Sequence, residues 1–316
     1  MWPRSSAQRA LIRPELLWNM DMMYMYQQVK NVNGVLILIL CNILERKYMN
    51  KKILIILIAI IAVVAVFEVV IGVRLIQDNK AQSETIENLE ATIRDLNKRI
   101  TMLEHEGEIV YSDTGFNYLA IGNSITVHGV CDYWWDEIGM AATKKENDYV
   151  HLIEAHLNKK YDDVWMYATN YSVWEMQGTD RAETFTMIDP YLSSKLDLIT
   201  IQLGENVTDT ATFQADYEEL IRYIQGKAPE AQIIVVDDFW NKKEKSDIRE
   251  NAAKNCNVQF ADLSEIQGKK DYQCGIGTKV YDSNGGEHIV EHDGVARHPG
   301  DKGMRYIADA VIKVLG

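Results

Sequence analysis

Residues 116–316 predict an α/β fold in which a parallel sheet is covered by helices on both faces. Three observations carry this. Short apolar runs of strand length alternate with longer stretches of helical periodicity. That alternation needs crossover connections, which make neighbouring strands parallel. Polar residues suited to chemistry stand directly after the apolar runs, at the carboxyl ends where such sheets collect ligands. In chain order, Tyr118–Ile121 reads as the first strand and closes on Gly122-Asn123-Ser124. Gly122 permits a turn there, and Asn123 or Ser124 can cap the next helix through its side-chain oxygen. A helix over Tyr149–Lys159 leads to the second strand, Val164–Ala168, which runs into "ATNYSVWE". The third strand, Leu198–Leu203, ends in "GEN", and a helix over Ala211–Gln225 follows. Strands at Ile233–Val236 and Val258–Ala261 flank a helix at Lys245–Asn255. "HDGVARHPGDKGM" then precedes the last helix, Gly303–Val314.

The chain ahead of this region has a different character. Ile53–Val73 is almost continuously apolar, broken only by Glu68 and Gly72. It reaches the roughly 20 residues a helix needs to cross a bilayer. Lys51 and Lys52 precede it, with Arg46 and Lys47 further upstream, so the positive-inside rule puts its N-terminal side in the cytoplasm and the following domain outside. A cleaved signal peptide is the competing reading, but its apolar region typically runs only about 7 to 15 residues, and no A-x-A site follows. Ile86, Leu89, Ile93, Leu96, Ile100 and Leu103 alternate in spacing between three and four, which makes a heptad seam. A short coiled-coil stalk able to pair two chains into a homodimer is expected, with a single amphipathic helix packed on the following domain as the alternative. The expected organisation is an N-terminal extension at 1–48, a membrane anchor at 49–76, a helical stalk at 77–108 and a catalytic domain at 109–316. "MNKKILIILI" from Met49 looks like a natural start of translation, and the segment before it like a mis-called extension.

Composition excludes some functions. With 47% apolar and 25% charged residues the chain is not of the disordered class. A net charge of −13 argues against a nucleic-acid partner, since neutralising phosphates takes clustered Lys and Arg. Cys41, Cys131, Cys256 and Cys274 show no C-x-x-C spacing, so neither a zinc ribbon nor a thioredoxin-type site is indicated, and a Cys256–Cys274 pair stays open.

Ser124, Asn206 and His298 supply a nucleophile, an amide donor and a base, the set needed for acyl transfer. The blocks that hold them resemble the SGNH, or GDSL-like, hydrolases over roughly residues 116–316. "GNSIT" matches the first block, with Asn123 where the family often has Asp; "GEN" matches the third; "RHPGDKGM" matches the last. The resemblance implies a flavodoxin-like three-layer α/β/α sandwich and esterase-type chemistry, with no metal or organic cofactor. It gives Ser124 the role of nucleophile and its N–H that of an oxyanion donor, together with the Asn206 amide. The second block normally supplies a glycine N–H, and Ser172 holds that position here. His298 takes the role of general base. The family's acid lies three residues before the histidine, where this chain has Val295; Asp293 is one candidate, and a backbone carbonyl orienting His298 in a Ser-His dyad is the other.

Asn123 and Glu205, within these blocks, and Trp174 and Glu175, beside the second, are the expected substrate contacts. Trp174 and the Trp134-Trp135 pair offer faces on which a sugar ring could pack, while Trp165, Trp240 and most other aromatics suit a core. His128 suits a pocket or helix surface. His288 and His292 have i,i+4 spacing, and Asp282, Asn284 and Gly285 hint at a calcium loop, but neither set meets the spacing or context of a metal site. Asp301 suits the N-terminus of the last helix. The sequence therefore points to a membrane-anchored, extracytoplasmic serine esterase that removes acetyl or other small acyl groups from a glycan. A carbohydrate O-acyltransferase with the same site, or a non-catalytic glycan-binding protein of this fold, are the alternatives.

Overall fold

The computed structural model describes Lys80, Ser83, Thr85, Ile86, Lys98, Glu108–Gly178 and Asp180–Leu315. The expected span at Ile53–Val73 and the proposed start at Met49 lie outside these residues. Among the described residues, no helix is long and apolar enough to cross a membrane. Lys80, Ser83, Thr85, Ile86 and Lys98 are helical, and the rest of the expected stalk up to residue 107 lies outside the described residues. Lys98 touches the domain that follows: its ammonium donates to the Val164 carbonyl at 3.0 Å and lies 5.6 Å from the centre of the Trp165 ring.

A five-stranded parallel sheet forms the centre. Its strands are β1 (Phe116–Gly122), β2 (Val164–Asn170), β3 (Leu198–Gln202), β4 (Gln232–Val236) and β5 (Gln259–Ala261), in the order β2-β1-β3-β4-β5. The strand alternation sorts the core onto two faces. Tyr118, Ala120, Leu198 and Ile234 point to one side and meet α1 (Tyr149–Leu157) and α6 (Asp301–Val314) through Ile153, Leu157, Met304 and Ile307. Leu119, Ile121, Ile199 and Val235 point to the other and meet α3 (Phe213–Lys227) and α4 (Lys243–Asn255) through Phe213, Tyr217 and Ala252. The result is three layers. Every residue of β3 is buried, the polar Thr200 and Gln202 included, as suits a central strand covered on both faces.

Two short helices and a hairpin complete the domain. α2 (Ser172–Met176) follows β2 directly, and α5 (Asp293–Ala296) precedes α6. The hairpin pairs β6 (Lys279–Tyr281) with β7 (Glu287–Ile289). Asp282 closes its turn by accepting from the N–H groups of Asn284 and Gly286, at 2.8 and 2.9 Å. The apparent calcium motif is therefore a turn. Asp301 accepts from Thr143 N and Oγ1 and from Asn147 Nδ2, which ties the start of α6 to the loop before α1. Cys131, Cys256 and Cys274 are free thiols, so Cys256 and Cys274 do not pair.

Candidate active site

The order β2-β1-β3 places a topological switch at β1, where one crossover leaves to each side and a crevice opens beyond the strand ends. The turn after β1 is tight. A Cβ on Gly122 would stand 1.8 Å from Thr126 Oγ1, so only glycine fits there. Asn123 then caps the turn, its Oδ1 accepting from Ile125 N at 3.0 Å. Ser124 emerges half-buried, with its carbonyl accepting from Met140 N at 2.8 Å.

His298 arrives from the far end of the chain, on the turn between α5 and α6. Its Nε2 lies 2.8 Å from Ser124 Oγ, although 174 positions separate the two residues. Its Nδ1 lies 2.7 Å from the carbonyl oxygen of Gly294. A carbonyl can only accept, so Nδ1 carries the proton and Nε2 is the bare nitrogen that receives the Ser124 hydroxyl. This is the tautomer a general base needs.

Of the two candidates for orienting His298, the backbone carbonyl holds the position and Asp293 does not. Asp293 opens α5 with an exposed side chain, and the helical turn from Gly294 to His298 aims the Gly294 carbonyl at the ring. Asp293→Asn should leave kcat within about twofold, whereas losing a true triad acid costs roughly 10⁴. Steady-state turnover of an acetyl ester measures the difference.

Removal of the His298 ring from water pushes its pKa from 6.5 down to about 4; the Gly294 bond opposes this, and the neighbouring His128 and His292 reinforce it. Trp240 packs edge-on against the ring, with centroids 5.2 Å apart. Hydrolysis needs neutral His298, so kcat/KM should stay level from neutrality downward and fall only as pH nears about 4. A pH–rate profile whose acid limb sits near 6.5 would contradict this.

Asn206 is exposed after β3, on a loop that Gly204 turns with φ of +117°. The Asn206 Nδ2 donates one hydrogen to Glu175 Oε2 at 2.6 Å, which leaves the other for a developing oxyanion. Ser172 departs from expectation: its N–H donates to Asn170 Oδ1 at 3.0 Å, a local turn that occupies the donor assigned to the hole.

The four expected substrate contacts lie beneath the site. Asn123 and Trp174 are fully buried, and the Glu175 and Glu205 side chains are 2% exposed. Trp174 packs against Phe213 and Tyr217 in the core. The Asn123 amide nitrogen donates to both carboxylates, at 3.0 Å to Glu175 Oε1 and 2.7 Å to Glu205 Oε2. An Asp at this position would lose both bonds and set a third carboxylate against the pair, so the amide suits this chain. Glu205 also accepts from Gln202 and lies 3.0 Å from the buried Arg249, whose other arm meets Asp238 at 3.0 Å. Burial holds the Glu205 carboxyl well above the usual carboxylate range, with Arg249 pulling it back.

The rings of Tyr133, His292 and His128 line the rim, and of these only Tyr133 was missed at the sequence level. Tyr133, 39% exposed, stacks on His292 with centroids 4.3 Å apart, and His128 lies beside Tyr133. Their positions come from loops without periodicity, which leave no local signal. Of the expected sugar platform, Trp134 is buried and Trp135 stacks on His288. His288 also pairs with Asp282, so it and His292 serve different partners, and no cluster suited to a metal occurs among the described residues.

No family model matches the chain, and no curated protein does. Among solved structures, the chain is similar to GDSL-type esterases and lipases. The esterase EstA from Pseudoalteromonas sp. shares 14% identity over 62% of this chain and 94% of its own, with a TM-score of 0.40. A putative GDSL-like lipase from Parabacteroides merdae shares 15% identity over 63% and 94%, with a TM-score of 0.40. A two-domain esterase active on acetylated mannans shares 16% over 63% of this chain but 48% of its own, with a TM-score of 0.42. The chemistry of the site rests on Ser124, His298 and their surroundings, independently of these likenesses.

Proposed function

We propose that the chain is a serine carboxylic-ester hydrolase that removes acetyl or similarly small acyl groups from a carbohydrate outside the cytoplasmic membrane. The observation that carries it is the Ser124 Oγ to His298 Nε2 contact at 2.8 Å, with Nδ1 held on a carbonyl. Ser124 attacks the ester carbon while its proton passes to Nε2. The oxyanion draws on Asn206 Nδ2 and the Ser124 N–H. His298 then returns the proton to the departing alcohol, which leaves an acyl-serine. Water, deprotonated by the same nitrogen, releases the acid and restores Ser124.

Three features support the finer reading. Ser124 and His298 are half-buried and Asn206 is exposed, so an ester carried on a polymer can reach them. The Tyr133–His292 stack offers a ring face on which the C–H side of a sugar packs. The apolar run Ile53–Val73, behind Lys51 and Lys52, supports an anchor that displays the domain outside the cell membrane. The test is hydrolysis of a chromogenic acetyl ester and of acetylated polysaccharides, alongside labelling by a fluorophosphonate. Release of acetate and a label mapped to Ser124 are expected; unchanged turnover in Ser124→Ala would sink the assignment.

A further inference from the structure

We infer that Glu175 is the positioning residue of the oxyanion hole, a role that rests on the esterase reading above. It sits on α2, after β2, yet its carboxylate reaches under the ends of β1 and β3. Oε1 accepts from Asn123 Nδ2 at 3.0 Å, from Asn206 N at 3.3 Å and from Gly204 N; Oε2 accepts from Asn206 Nδ2 at 2.6 Å. One buried side chain thus joins the nucleophile turn to the loop that carries the amide donor. Neither a substrate contact nor a proton transfer is left for it, because both oxygens are engaged from below.

The Asn206 amide alone would rotate freely about its Cβ–Cγ bond, since that residue is exposed. Oxygen and nitrogen would then exchange places, and an oxyanion would meet a carbonyl as often as an N–H. The bond to Oε2 selects the orientation in which Nδ2 faces Glu175 with one hydrogen and the site with the other. The two bonds to Gly204 N and Asn206 N hold the loop backbone at the same time. A carboxylate is the group required, because all four partners are donors. A glutamine would turn an NH₂ toward at least one of them, and the relief open to it is to flip the Asn206 amide into the wrong orientation.

The experiment is a double-mutant cycle on the purified full chain with an acetyl ester. Asn206→Ala should lower kcat by about 10²- to 10³-fold. Glu175→Gln should lower kcat by about 10- to 10²-fold with KM little changed, as expected when a donor is misplaced while substrate binding is intact. In the Asn206→Ala background, Glu175→Gln should cost no more than about twofold further, because the group it acts through is gone. Thermal melts confirm that each variant is folded; where Glu175→Gln is not, Glu175→Asp, too short to reach Asn206, takes its place in the same cycle. Losses that multiply across the two sites, or failure of both Glu175 variants to fold, would overturn the proposal and leave Glu175 a stability residue. An active wild type that loses turnover in Ser124→Ala but not in Glu175→Gln sinks the positioning role alone. A wild type whose turnover survives Ser124→Ala sinks the esterase reading, and the positioning role with it.

Discussion

Ser124→Ala and His298→Ala should each lower ester turnover by roughly 10⁴- to 10⁶-fold, and the double variant should be no slower than the worse single one. The reason is the 2.8 Å contact between Oγ and Nε2. The hydroxyl is a weak nucleophile until the imidazole accepts its proton, and the imidazole has nothing to accept without the hydroxyl. Each substitution therefore removes the same event. Residual catalysis above the water reaction should come from Asn206 and the Ser124 N–H, which neither substitution deletes. kcat for the three variants decides the matter, and losses that multiplied would show two independent roles.

The largest effect on stability is expected at Arg249. Its guanidinium is fully buried and lies 3.0 Å from Glu205 and 3.0 Å from Asp238, while Nε donates to the Leu203 carbonyl at 2.6 Å. Arg249→Met fills much of the volume but leaves two buried carboxylates without a counter-charge, at a cost of about 3–5 kcal/mol. For a domain of this size, each kcal/mol lowers Tm by about 2–4 °C. The sign of the pH effect follows from the carboxyls. Burial already raises the Glu205 pKa, and removing Arg249 raises it further. A carboxyl with a raised folded pKa binds its proton more readily in the folded chain, so its contribution is favourable at acid pH and is lost as pH rises. The gap in Tm between Arg249→Met and wild type should therefore be wider at pH 8 than at pH 5, by calorimetry at both. A gap that widened toward acid would contradict the ion-pair account.

Most of the sheet was legible in the sequence because strand burial leaves a local signature. The five apolar runs fall within a few residues of β1 to β5, and the helices at Tyr149, Lys245 and Gly303 correspond to α1, α4 and α6. The elements that escaped are short or polar. α2 and α5 are five and four residues long, too brief for a 3.6-residue period to declare itself, and β6 and β7 pair only three residues each. Those same elements carry much of the site. α2 brings Glu175 beneath Asn206, and α5 turns the Gly294 carbonyl onto His298.

By itself the sequence determined the layered α/β class and the residues able to do chemistry, because apolar period and residue type are properties of a short stretch of chain. The partners of those residues were decided only by the tertiary structure. Asp293 is near His298 in sequence yet exposed, while Gly294 is aimed by one helical turn. Glu175 beside one motif and Glu205 within another, both polar, read as substrate contacts, but the crossing of three strand ends buries them and makes them supports. Direction and burial are set by how distant segments pack, and that information is not carried by any one segment.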